Sequence, residues 1–145
     1  MAHALAAMVT GRALTEQIER SDARRGAGQR HAAPWGTLAA IDLHGCDRGR
    51  LEDPETIRRF IPAVIDAIGM RPHGPLMLDR FGDGELEGWS AMQFIETSSI
   101  TVHADEACGR CFVDVFSCRP FDADLAASVA VRHFGGRVRA RVLSR

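Results

Sequence analysis

From Leu76 to Cys118 the chain carries one strand-like segment after another and no helical periodicity, and this run most narrows the folds open to it. Leu76 to Phe81 reads as a short strand, followed by the loop GDGELEG. Ser90 to Glu96 and Ile100 to His103 are strand-like, with a break around Thr97-Ser98-Ser99. Cys111 to Cys118 (CFVDVFSC), rich in Phe and Val, is the clearest strand. Upstream, Leu38 to Leu43 forms a strand closed by His44-Gly45-Cys46-Asp47. Asp53 then caps a helix with Pro54 at its first position. Ile57, Phe60, Ile61, Val64, Ile65 and Ile68 recur at helical spacing until Gly69, and Pro62 predicts a kink. Downstream, Asp122 caps a helix over 123–134 that Gly135-Gly136 ends, and Val138 to Leu143 alternates Arg with apolar residues. The order β-α-β-β-β-β-α-β predicts an α+β two-layer sandwich: a mostly antiparallel sheet with two helices on one face.

The 145 residues, 46% of them hydrophobic, are enough for one domain with a real core. Residues 35–145 form that domain. Residues 1–34 are an extension: 2–20 fit a helix with Leu5, Met8, Val9 and Leu14 as its apolar stripe, and 21–34 lack large apolar residues, as a flexible linker does. The Arg cluster of the linker reads as solvated rather than as a nucleic-acid contact. A formal charge of −1 supplies no field for nucleic acid or an anionic membrane, and the apolar runs are far short of a membrane span. Arg12, Glu16, Glu19 and Arg20 follow too closely on Met1 to Val9 for a secretory signal, so a cytoplasmic setting with reduced thiols is expected.

Lys, Tyr and Asn are absent. The missing Lys excludes a Walker A phosphate loop and any enzyme that uses a Lys amine as nucleophile or to hold pyridoxal phosphate. The four cysteines are Cys46, Cys108, Cys111 and Cys118. Cys108-Gly-Arg-Cys111 is one CxxC pair where structural zinc generally needs two, and it leads into a strand rather than a helix. It reads as two ordinary thiols at a turn, with no metal. Ser98, His103 and Cys118 lie on two neighbouring strands joined by a short polar connection, and pairing of those strands would let the three side chains converge. Spacing alone favours a plainer reading: a Ser at a strand break, a surface His and a buried Cys.

The segment GWSAMQFIETSSITVHADEACGRCFVDVFSC resembles the S-adenosylmethionine decarboxylase proenzymes of bacteria and archaea, whose motif ESHxxxH precedes an acidic loop and VDVFxC. Ser98 falls on the motif's Ser, His103 on its His, and Cys118 on its Cys, after a matching Val113-Asp114-Val115-Phe116-Ser117. LAAIDLHGCD over 38–47 is similar to the family's first strand, Gly88-Trp89-Ser90-Ala91 to its GxSG turn, and Arg119-Pro120-Phe121-Asp122 to its following helix start. The likeness covers residues 36–145. It implies cleavage between Thr97 and Ser98: the Ser98 hydroxyl attacks the Thr97 carbonyl, and loss of the Ser98 α-proton, with His103 as base or orienter, eliminates the resulting ester. A covalent pyruvoyl group then stands where Ser98 was. It forms a Schiff base with a substrate amine and accepts the electrons as CO2 leaves. By the same resemblance Cys118 reprotonates the substrate carbon and Ser90 assists processing and positions the His. Phe81 falls near the adenine-stacking aromatic, and Ile100 lines the pocket through its backbone. Glu106 falls near an acid that holds the ribose. The family's bacterial members are homodimers of processed protomers acting on a small-molecule substrate in spermidine synthesis.

Three positions depart from the family pattern. Thr97 stands where Glu precedes the processing Ser, Ser99 stands where His follows it, and Ala104-Asp105-Glu106 replaces TxPE. A basic substrate, L-ornithine or L-arginine, is therefore an alternative on the same machinery, with Asp83, Glu85, Glu87, Asp105 and Glu106 as candidate carboxylates. A second alternative is a non-catalytic paralogue that never cleaves.

Overall fold

Caps and apolar stripes decide where the helices form. In the computed structural model, which describes residues 34–145, Asp47 caps α1 (Arg48–Glu52) by accepting from Arg50 N. Asp53 caps α2 (Pro54–Ala67) by accepting from Glu55 N at 2.9 Å, and Asp122 caps α3 (Ala123–Phe134) by accepting from Leu125 N. Each side chain satisfies an amide that the first helical turn leaves without a partner. α2 is continuous through Pro62. Its stripe of Ile57, Phe60, Ile61, Val64 and Ile65 is buried, and Phe60 meets Phe134 of α3 edge to face at 5.1 Å. The expected helix over 2–20 and the linker lie outside the described residues, apart from Pro34.

Six strands make one sheet, every neighbouring pair antiparallel: β1 (Thr37–His44), β2 (Pro72–Phe81), β3 (Gly88–Ile95), β4 (Ser98–Asp105), β5 (Arg110–Ser117) and β6 (Arg137–Ser144), in the order β2-β3-β4-β5-β1-β6. The expected sandwich is therefore present, with three helices rather than two. α1 leaves no mark in the sequence, because five residues with one buried side chain, Leu51, carry no periodicity. A single 3₁₀ turn (Gly84–Leu86) interrupts the loop before β3. β2 starts four residues earlier than expected and is bulged between His73 and Met77.

Alternation along the strands sends one set of side chains to the helices. Ala39, Ile41 and Leu43 of β1, Cys111, Val113 and Val115 of β5, and Ile100 and Val102 of β4 are buried there. The opposite parity builds the other sheet face, and apolar residues on it stay open to solvent: Met77 is 62% exposed, Phe81 59% and Phe94 51%. No helix of the described residues is long and apolar enough to cross a membrane.

Candidate active site

Two small clusters sit at opposite ends of β4. The first is the turn from β3 to β4. Thr97 has φ +65°, a left-handed conformation that a β-branched residue rarely adopts, so its peptide is strained. Cys118, just beyond β5, touches both sides of the Thr97–Ser98 bond. Its backbone N–H donates to Ser98 Oγ at 3.1 Å, and its thiol donates to the Thr97 carbonyl oxygen at 3.1 Å. One residue thus holds a nucleophilic oxygen in place and polarises the neighbouring carbonyl.

The second cluster pairs His103 with Ser90, which are directly opposite in the β3–β4 ladder. The Ser90 hydroxyl and His103 Nδ1 are 3.0 Å apart. Gly88 lets β3 approach β4 this closely, since a Cβ there would stand 2.2 Å from the Ala104 carbonyl oxygen. Both side chains open on the uncovered sheet face, in a shallow cleft of about 350 Å³ with Met77, Asp79, Phe81 and Met92. The cleft is mostly apolar, and Phe81 presents a flat ring at its edge.

The expected convergence of Ser98, His103 and Cys118 is therefore half present. Ser98 and Cys118 meet, but His103 lies five residues along β4, about 16 Å away at roughly 3.3 Å per residue. An odd step also turns it to the other face of the sheet. Ile100 sends its side chain into the core, where it is fully buried. Glu106 is 6% exposed and already engaged: Arg80 donates to both its oxygens at 2.7 and 2.8 Å, and Trp89 N donates at 3.3 Å. Arg80 also bonds Glu87 at 2.8 Å. Two of the candidate carboxylates thus share one guanidinium, whose single positive charge offsets only one of them. A third, Asp105, is held by Arg110 Nε at 2.7 Å and by Cys108 N. Burial opposes ionisation of Asp105, but those bonds and the Arg110 charge outweigh it and hold the carboxyl below its ordinary value.

All four cysteines are free thiols. Cys111 is buried on the helix face while Cys108 is exposed, so the CxxC pair does not face one site. Burial pushes the Cys111 thiol far up, with Cys46 nearby adding to the shift, and burial raises Cys46 as well. Among the described residues no three His, Cys, Asp or Glu side chains gather as a metal site.

Strands and helices together make an α+β scaffold that carries a Ser–Cys and a Ser–His pair at opposite ends of β4. The fold matches the crystal structure of the adenosylmethionine decarboxylase from Aquifex aeolicus with a TM-score of 0.67 at 21% identity, over 79% of this chain and 92% of that one. Residues 37–145 match the S-adenosylmethionine decarboxylase family, and the chain belongs to it. Family membership makes it S-adenosylmethionine decarboxylase-like, among carboxy-lyases of polyamine biosynthesis that generally depend on a pyruvoyl group. No curated protein matches the sequence.

Proposed function

We propose that this chain is a self-processing, pyruvoyl-dependent decarboxylase of S-adenosylmethionine, cut between Thr97 and Ser98 and working in the cytoplasm as a homodimer. The observation that carries this is the strained Thr97 peptide with Cys118 bonded to both reacting groups. Ser98 Oγ attacks the Thr97 carbonyl carbon, the C–N bond breaks, and an ester replaces the amide. The Cys118 thiol stabilises the oxyanion as it forms. Removal of the Ser98 α-proton expels the Thr97 carboxylate, leaving dehydroalanine. Its imine tautomer takes up water and releases ammonia, which leaves the pyruvoyl terminus. That terminus supplies an electron sink for the departing CO2. Cys118, already beside it, is placed to return a proton to the substrate carbon.

The base for the α-proton must come from elsewhere, because His103 of the same chain is too far. A second copy stacked on the open sheet face, with its β4 antiparallel to the first, brings its His103 toward the Thr97–Ser98 turn. The two-fold axis then runs across the strands between Ile100 and Thr101 and generates two such sites. Ser90 fixes the imidazole through Nδ1, which leaves Nε2 to take the proton. The same stacking covers Met77, Phe81, Met92 and Phe94.

The apolar cleft and the exposed Phe81 ring favour a substrate with a flat, uncharged body such as adenosine. Asp79, the carboxylate on that cleft, favours a second reading in which ornithine or arginine is the substrate.

An intact-mass spectrum under denaturing conditions tests the proposal. Two chains, 1–97 and 98–145, with the smaller lighter than a serine-started peptide by the ammonia lost, are expected. CO2 release from S-adenosylmethionine, ornithine and arginine side by side then assigns the substrate. A single intact chain that releases no CO2 overturns the reading in favour of an unprocessed paralogue.

A further inference from the structure

The helix side of the sheet holds a second cleft, on the face opposite Ser90 and His103. It measures about 420 Å³ and lies between α2 and the β2–β3 pair, walled by Ile61, Pro62, Ile65, Pro72 and Leu76. Gln93 lines it and is only 3% exposed. Its Nε2 faces three carbonyl oxygens, those of His73 and Gly74 at 3.2 Å each and of Phe94 at 2.8 Å. Three acceptors around one nitrogen fix the amide orientation, so Oε1 is turned away from them. Among the described residues nothing donates to that oxygen, and no side-chain oxygen is sealed off without a partner, so Oε1 opens on the cleft.

Two more groups of α2 add to this one-sided polarity. Pro62 has no N–H, so the Arg58 carbonyl loses its intrahelical donor in the turn that borders the cleft. Asp66 stands exposed at the rim with no ion-pair partner among the described residues. Arg58 also lines the cleft, with its Nε paired to Glu55 at 3.0 Å, and the Gln93 NH2 is engaged. At the Asp66 end, eight residues and about 12 Å along α2 from Arg58, the cleft presents apolar walls, acceptors and a carboxylate.

We propose that this cleft binds an aliphatic primary ammonium, with the chain against Ile61, Ile65 and Leu76 and the NH3+ group shared between Gln93 Oε1 and the Asp66 side. The site is independent of the reaction at Ser98. The test titrates n-hexylammonium, 1-hexanol and hexanoate into the full-length ¹⁵N-labelled protein and follows the Gln93 side-chain amide and the amides of Ile65 and Asp66. n-Hexylammonium is expected to shift these signals saturably, and hexanoate to bind about tenfold more weakly because it faces Asp66. Asp66→Asn, on an exposed helix position that leaves the fold intact, is expected to weaken n-hexylammonium about two- to fivefold. Equal binding of 1-hexanol and n-hexylammonium, or shifts clustered at Phe81 and Met92 on the other face, overturns the proposal.

Discussion

The Cys118 thiol and the Thr97 carbonyl oxygen lie 3.1 Å apart, across a gap of 21 residues in sequence. The contact exists because β5 delivers Cys118 beside the start of β4, where Ser99 pairs with Phe116. A thiol is a weak donor, so its effect on the reacting carbonyl is modest but direct. Replacing Cys118 by Ala removes it while the backbone N–H to Ser98 stays. Cleavage is expected to slow by about tenfold, below the loss seen for a strong oxyanion donor. A time course of the intact 15.8 kDa chain on denaturing gels measures it.

Thr97→Gly tests what the strained torsion does. Glycine adopts φ +65° without penalty, so the variant loses strain of about 1–3 kcal/mol but costs about 1 kcal/mol of extra unfolded-state entropy. A net gain of about 1 kcal/mol is expected in urea unfolding of the uncut chain, which a Ser98→Ala background keeps intact. In the Ser98 background the same change is expected to slow cleavage, since the peptide no longer enters the reaction under strain.

Complementation tests whether the two ends of β4 act in different chains. Ser98→Ala keeps His103 but has no nucleophile, and His103→Ala keeps Ser98 but has no base. Each alone is expected to stay uncut. Co-expressed with different affinity tags, they are expected to form a mixed dimer in which the His103→Ala chain is cleaved and the other is not. If neither chain is cut in the isolated mixed dimer, sharing of the site between copies fails.

Asp105 gives a pH dependence whose sign is fixed. Its folded pKa is lowered by Arg110 and the Cys108 amide, so it stabilises the fold above the unfolded value of about 3.9 and that contribution disappears as pH falls through the folded pKa. Asp105→Asn is expected to melt below the parent chain at pH 7, and the gap is expected to narrow and then close as pH falls from about 3.9 through the lowered folded pKa. Melting curves of both proteins across that range decide it.

Much of this was legible before any coordinates. The α2 and α3 boundaries follow from Asp53-Pro54, Gly69, Asp122 and Gly135, because caps are local chemistry. The meeting of Ser98 and Cys118 was also legible, since both sit where adjacent strands end. The distance to His103 was not, because residue spacing matches a motif without recording that five steps along a strand change both position and face. The Arg80–Glu106 pair joins residues 26 apart, with all of β3 and β4 between them, and nothing local announces it. Thr97 had no Gly to mark a left-handed turn, so only a break was expected where the backbone is strained.

The sheet order has a last consequence. Cutting at the β3–β4 turn divides the strands into β1, β2 and β3 on one piece and β4, β5 and β6 on the other. β1 lies between β5 and β6, bonded to each along all eight of its residues, and Gly36 exchanges hydrogen bonds in both directions with Arg145. The two pieces are therefore threaded through each other like folded hands. They can part only by unzipping three ladders, β1–β5, β1–β6 and β3–β4, and once apart they must find each other again in solution. A cut chain that has melted would regain its native state at a rate that falls with dilution, a hysteresis absent from the uncut one.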